Sequence, residues 1–305
     1  MLDQNVLWAV FLTSVLILLA LDLRILNRSS GSISTRKAIY LSIFWISVGL
    51  AFSIFIYIEM GPDRALEYLA AYTVEKAMSV DNLFVFILVF SHFNIPENEY
   101  QHKALFYGII SAMFFRAVFI FAGIELLTRF HFVMYILGLF LIYAAFKTAT
   151  KEPRTHKSNR VLSLVSKHIP SSSKLDGDRF FTVKNGVRMA TPMLLCVIAI
   201  EFIDIIFALD SIPAVLAIST DAFIIYSSNI FAILGLHSLF LLIKDSLQSL
   251  VYLKYGLGLI LAFVGVKMLI SEFLHISVTV SISFIALVLL STVIVSMRFG
   301  KDAPV

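Results

Sequence analysis

The sequence predicts an all-α polytopic membrane protein, and three observations carry that expectation. Of 305 residues, 59% are hydrophobic and 14% charged, with a mean hydropathy of +0.92, far from the balance of a soluble domain. The apolar residues gather in runs of about 20, the length that crosses a bilayer as a helix. The runs lack the period-two alternation of a barrel strand, and a helix satisfies its own backbone in lipid.

Nine spans follow, near residues 4–26, 38–59, 66–91, 103–127, 131–149, 190–218, 222–243, 254–272 and 277–297. The first has no basic residue before it and no small-residue cleavage pattern after it, so it is expected to be a retained helix rather than a secretion signal. Cys196 is the one cysteine; it excludes an intrachain disulfide and is expected to be a small buried hydrophobe. The formal charge of +4 implies no nucleic acid, since the basic residues lie in the connections between spans. With the N-terminus outside, nineteen lysines and arginines fall on the inner side, nine of them between residues 151 and 188, against Arg64 and Arg129 outside. This asymmetry predicts a cytoplasmic loop and C-terminus.

Within that loop, Val161, Leu162, Leu164, Val165 and Ile169 share one helical face, expected to lie on the inner membrane surface. Residues 180–188 are expected to form a hairpin turning at Asn185-Gly186. Thr191-Pro192 supplies an N-cap and a first-turn proline for the sixth span.

The flanking halves repeat one another. Tyr135, Gly138, Leu139 and Lys147 recur 120 positions later as Tyr255, Gly258, Leu259 and Lys267, and Glu75 and Asp81 recur 129 positions later as Asp204 and Asp210. Three spans per repeat put the halves in opposite directions through the membrane, an inverted repeat of the kind secondary transporters use, with a site near the midplane. The expected organisation is two N-terminal helices (1–65), a first repeat (66–150), a basic cytoplasmic loop (151–189), an inverted second repeat (190–274) and a last helix with its tail (275–305).

Glu75, Asp81, Glu201, Asp204 and Asp210 all fall inside apolar spans. A carboxylate facing lipid costs about 2.5 to 3.5 kcal/mol on the insertion scale, so these groups must face one another, a cation or water. Within each span the six-residue spacing leaves the two acids about 120° apart, so a pair on one unbroken helix chelates poorly. Pro213 is expected to kink its helix beside Asp210 and free carbonyl oxygens. Carboxylates, the amides of Asn82 and Asn229, and the hydroxyls of Ser79, Ser211 and Ser228 form a hard oxygen set suited to magnesium, calcium or manganese. The bland alternative is that Glu75 pairs with Lys76 or Arg116 and the other acids are hydrogen-bonded helix glue. Arg116 and His237, at nearly equivalent repeat positions, are candidates to balance the charge of a vacant site, His237 in a pH-sensitive way or as a simple packing residue.

The stretches Glu75-Lys76-Ala-Met-Ser-Val-Asp81-Asn82, Asp204-Ile-Ile-Phe207-Ala208-Leu-Asp210-Ser211-Ile212-Pro213, Ser228-Asn229-Ile-Phe231-Ala232 and Lys254-Tyr255-Gly256-Leu257 closely resemble the TerC family, its Alx-type bacterial members in particular. The resemblance implies an inner-membrane exporter of manganese, not an enzyme and without a bound cofactor, in a family named for tellurium resistance. It maps the expected metal ligands onto Glu75, Asp81, Asp204 and Asp210, with Asn82 and Asn229 as helpers; Lys76, Arg116 and His237 remain candidates for charge balance and Glu201 an accessory acid. The position of His237 is commonly arginine in the family. Two other functions stay open: export of a small organic cation, and a membrane assembly or scaffold role. The partners expected are a divalent metal ion and the lipid bilayer.

Overall fold

A computed structural model describes residues 2–27, 35–96, 99–130, 132–150, 171–172, 175–184, 186–243, 252–270, 273–274 and 276–299. Its elements are α1 (Gln4–Asn27), α2 (Thr35–Met60), α3 (Pro62–His92), α4 (Glu99–Arg129), α5 (Val133–Thr150), β1 (Phe181–Lys184), β2 (Val187–Ala190), α6 (Pro192–Leu216), α7 (Ala222–Ile233), α8 (Leu236–Ile243), α9 (Leu253–Ile270) and α10 (Val278–Phe299). The surface-helix face at 161–169 and the side chains of Asp81 and Asp210 lie outside the described residues.

Six of the segments are long and apolar enough to cross a membrane: α1, α2, α4, α6, α10, and α7 taken with α8. The other three expected spans differ for visible reasons. Helix α3 has 31 residues but carries Asp63, Arg64, Glu67, Glu75, Lys76 and Asp81. Helices α5 and α9 have 18 residues each, about 27 Å of helix, close to the thickness of the hydrocarbon layer. Large apolar side chains such as Leu16, Ile58, Phe146 and Leu287 point outward, as they would toward lipid.

The helices pack as pairs that exchange partners. Helix α4 lies along α6 in the same direction, Gly108 against Ile200 and Gly123 against Leu216. Helix α3 lies along α7 in the same direction, since Glu67 accepts from Ser219 just before α7 and Lys76 reaches Ala232 and Leu234 at its end. Helices α3 and α6 therefore run antiparallel. Helices α5 and α9 cross antiparallel at Gly138 and Gly265, where a Cβ on Gly265 would come within 2.8 Å of the Gly138 carbonyl oxygen. That approach needs glycine on both sides.

The seventh expected span is broken in two. Helix α7 starts at Asp221, whose carboxylate accepts from Phe223 N–H (2.9 Å) and Ile224 N–H (3.2 Å), a strong N-cap. It ends where Gly235 adopts φ +78° with Trp45 of α2 packed directly on its Cα. Apart from half-buried Tyr226, the side chains from Phe223 to Ile233 are buried, so α7 runs through the interior with no lipid face. Helix α6 continues helical through Pro213 and ends three residues later, at Leu216. Pro213 has no N–H, so the Leu209 carbonyl lacks its helical donor.

The expected hairpin forms, with Lys184 opposite Val187 and Phe181 opposite Ala190. Its base is pinned to the start of α4, where Lys103 Nζ donates to the Asp178 carboxylate (2.6 Å) and carbonyl (2.9 Å). The hydrogen bond from Lys103 holds the Asp178 carboxyl below its usual range. Thr191 precedes α6, with Pro192 in the first turn, but its hydroxyl donates to the Arg179 carbonyl (2.7 Å) rather than capping the helix.

Gly235→Ala tests the break. A side chain there meets both a disfavoured backbone and the Trp45 ring, so the substitution should cost at least about 2 kcal/mol. Heat unfolding in detergent micelles should show a lowered midpoint, whereas an unchanged one would mean that α2 does not press on the break.

Candidate functional site

The middle of the fold holds a buried ionic cluster drawn from four helices. Arg116 of α4, 2% exposed, donates from Nη1 to Glu75 Oε2 of α3 at 2.7 Å. Its Nε and Nη2 hold Asp204 Oδ2 and Oδ1 of α6, each at 3.2 Å. Nη1 also reaches Asn229 Oδ1 of α7 at 3.2 Å. Glu75 is 1% exposed, Asp204 7% and Asn229 0%. Only a planar fork of donors can serve two carboxylates and an amide at once. Burying such charges costs several kcal/mol per ion and is sustained by this density of bonds.

One guanidinium balances one of the two carboxylates. Two buried polar atoms of the cluster, Glu75 Oε1 and Asn229 Nδ2, have no hydrogen-bond partner among the described residues, and along α6 the same holds for Glu201 Oε1 and Ser211 Oγ. Ser79 and Ser228 donate to carbonyls of their own helices, Glu75 O and Ile225 O, which leaves their oxygens able to accept. Beside the cluster a narrow cleft, with room for about one water, is lined by Arg116 and Asp204 together with Ser79, Asn82, Gly108 and Ala112. It lies toward the N-terminal halves of α4 and α6, the side on which the hairpin sits.

Glu75, Asp204, Asn229 and Arg116 are thus brought into contact, with Asn82 at the wall of the adjoining cleft. The pairing of Glu75 with Arg116, which the sequence offered as an alternative to metal ligation, is the one present. Lys76 turns away from the acids: its Nζ donates to the carbonyls of Ala232 (2.9 Å) and Leu234 (3.2 Å), capping the negative end of α7 at the break. Glu201 stands apart, its carboxylate accepting from the Ser111 hydroxyl of α4. His237 is not at the cluster. On α8 it is 1% exposed, with Nδ1 3.1 Å from Asp22 of α1 and Nε2 3.2 Å from the His102 carbonyl. Among the described residues no group of three His, Cys, Asp or Glu side chains gathers as a metal-holding set.

Sequence reasoning missed the break at Gly235, the Asp22 contact of His237 and the capping by Lys76. An isolated glycine inside a helical pattern was the available signal for the first. The other two join residues far apart in the chain, and no local pattern announces them.

A chain made mainly of helices with apolar outer faces around a buried arginine–carboxylate centre is an integral membrane protein. The chain belongs to the TerC family: the family model described as "Integral membrane protein TerC family" matches residues 60–303. It is 41% identical over 300 residues to "Uncharacterized membrane protein STKORF319" of Myxococcus xanthus, covering 98% of this chain and 94% of that protein. It is 39% identical over 293 residues to an "Uncharacterized membrane protein" of Rickettsia bellii, covering 94% and 97%. It is 38% identical over 306 residues to "Putative membrane-bound redox modulator Alx" of Photorhabdus laumondii, covering 97% and 95%. No solved structure matches.

Lys76→Met should strand two carbonyls at the end of α7 and cost about 1 to 3 kcal/mol, with Lys76→Arg losing less. Comparison of the three proteins by heat unfolding in micelles checks this, and equal midpoints would show that the helix end needs no cap.

Proposed function

We propose that the chain is a secondary transporter that exports divalent metal cations, manganese foremost, across the bacterial inner membrane in exchange for protons. The observation that carries the reading is the meeting of Glu75 and Asp204, repeat-related acids from antiparallel helices, in one buried centre with an unpartnered carboxylate oxygen among the described residues. A carboxylate kept that deep is costly unless it has a use.

The site of the proposal is Glu75, Asp204, Asn82 and Asn229, extended six residues along α3 and α6 to Asp81 and Asp210, with Glu201 accessory. Its oxygen donors suit a hard divalent ion. The choice of manganese over calcium or magnesium comes from the family resemblance. Carboxylate ligands bind metal in competition with protons, which makes proton exchange the natural coupling. The inverted-repeat architecture is supported by the packing: α3 on α7 mirrors α6 on α4, while α5 and α9 cross at their own glycines. Two such halves can rock about a fixed midplane site. The basic connections support a cytoplasmic hairpin and C-terminus. No catalytic residue or cofactor belongs to this reading. The redox wording of the Alx relatives' name meets a chain with one buried cysteine, so a redox role would act through a transported ion or a partner.

A second reading, a membrane assembly or scaffold factor, is favoured by one fact: Arg116 already bonds both acids, as a structural staple would.

Purified protein in sealed vesicles, loaded in turn with manganese, magnesium or calcium, separates these readings. Manganese efflux is expected, falling at least about tenfold in Glu75→Gln, Asp204→Asn, Asp81→Asn and Asp210→Asn at normal protein levels. Absence of any divalent flux would favour the assembly reading, and full flux in all four variants would put the ion at a site other than these acids. Orientation has its own test. A cysteine at Ser172, in a Cys196→Ser background, should react with an impermeant thiol reagent only from the cytoplasmic side, and labelling of intact cells from outside would reverse the topology.

A further inference from the structure

We infer that Arg116 is a built-in competitor for the transported cation, holding the two acids when the ion is absent and leaving them when it binds. The inference rests on the carboxylate-site reading above. Of the five side-chain oxygens that Glu75, Asp204 and Asn229 present, Arg116 occupies four, and Glu75 Oε1 alone is without a donor among the described residues. A cation that coordinates both acids must take oxygens that the guanidinium now holds. Occupation by the ion and by Arg116 is therefore mutually exclusive.

Two features distinguish this from a permanent staple. The first is incomplete satisfaction. Three of the four contacts are 3.2 Å, longer than the 2.7 to 2.9 Å usual for charge-assisted bonds. Glu75 Oε1 and Asn229 Nδ2 are left over in a cluster where a final arrangement would pair every group. The second is a cleft beside the arginine. Gly108 and Ala112, eight and four residues before Arg116 on α4, line it together with Leu105 and Ile109 of the same helix, and it has room for about one water next to the guanidinium.

The functional consequence concerns the empty carrier. Two bare carboxylates at the midplane would resist any rearrangement that keeps them dry. With Arg116 between them, the emptied site is partly neutralised and its two halves are held together, so the carrier can return. Net export then requires the arginine, whereas exchange of one bound ion for another does not.

Manganese chloride is the probe, and protection against heat unfolding of the purified full chain reads its binding independently of transport. In Arg116→Gln the half-protecting manganese concentration should fall at least about tenfold, because the competitor is gone. In vesicles the same variant should lose net manganese efflux but keep manganese-for-manganese counterflow. Should Arg116→Gln not fold, Arg116→Lys keeps the charge without the fork and should lower the half-protecting concentration about threefold. Equal or weaker manganese protection in a folded variant, or loss of counterflow together with efflux, would reduce Arg116 to a structural staple. If the wild-type chain itself shows neither protection nor flux with manganese, the site reading fails first and the inference with it.

Discussion

Everything at the centre of this protein is organised around one guanidinium. Arg116 brings its charge to a depth where hydration is unavailable, and it is tolerable there only because Glu75, Asp204 and Asn229 approach from three other helices. The demand fixes geometry well beyond the cluster. A slip of one residue along any of the four helices, about 1.5 Å with a 100° turn, would leave donors and acceptors facing apolar neighbours. The small residues Gly108 and Gly123 let α4 close on α6 on either side of the arginine, so side-chain volume and charge placement enforce the same register.

The break between α7 and α8 follows the same logic of satisfying every exposed end. A helix interrupted inside a membrane leaves carbonyls that water cannot reach. Here Lys76, next in sequence to Glu75, closes that end, while Asp221 closes the other. One turn of α3 thus serves two purposes: Glu75 anchors the ionic centre and Lys76 anchors the interrupted helix.

Much of the fold was legible in the sequence because hydrophobic runs and charge-bearing connections are local signals. The spans, the hairpin at Asn185-Gly186 and the family resemblance all came from contiguous residues. Glu75, Asp204 and Asn229 were legible as site candidates because a polar group in an apolar run must find a partner. Which partner was not legible. Arg116 and His237 sit at nearly matching repeat positions, yet one lies between the acids and the other binds Asp22, a contact between α8 and α1 that no spacing rule reaches. Pro213 lies near the end of α6, which stays helical through it, while the interruption between α7 and α8 falls at Gly235 under Trp45.

Trp45 and Asp22 also bear on what counts as a unit here. The family match begins at residue 60, which leaves out α1 and α2. In this chain those two helices cover the interrupted span: Trp45 backs Gly235, the Phe52 ring lies tilted against Phe231 with ring centres 4.4 Å apart, Trp8 meets Phe223 edge-on, and Asp22 holds His237. Residues 60–303 are therefore not self-contained in this chain, because their most irregular element is clasped by two helices that lie outside the match.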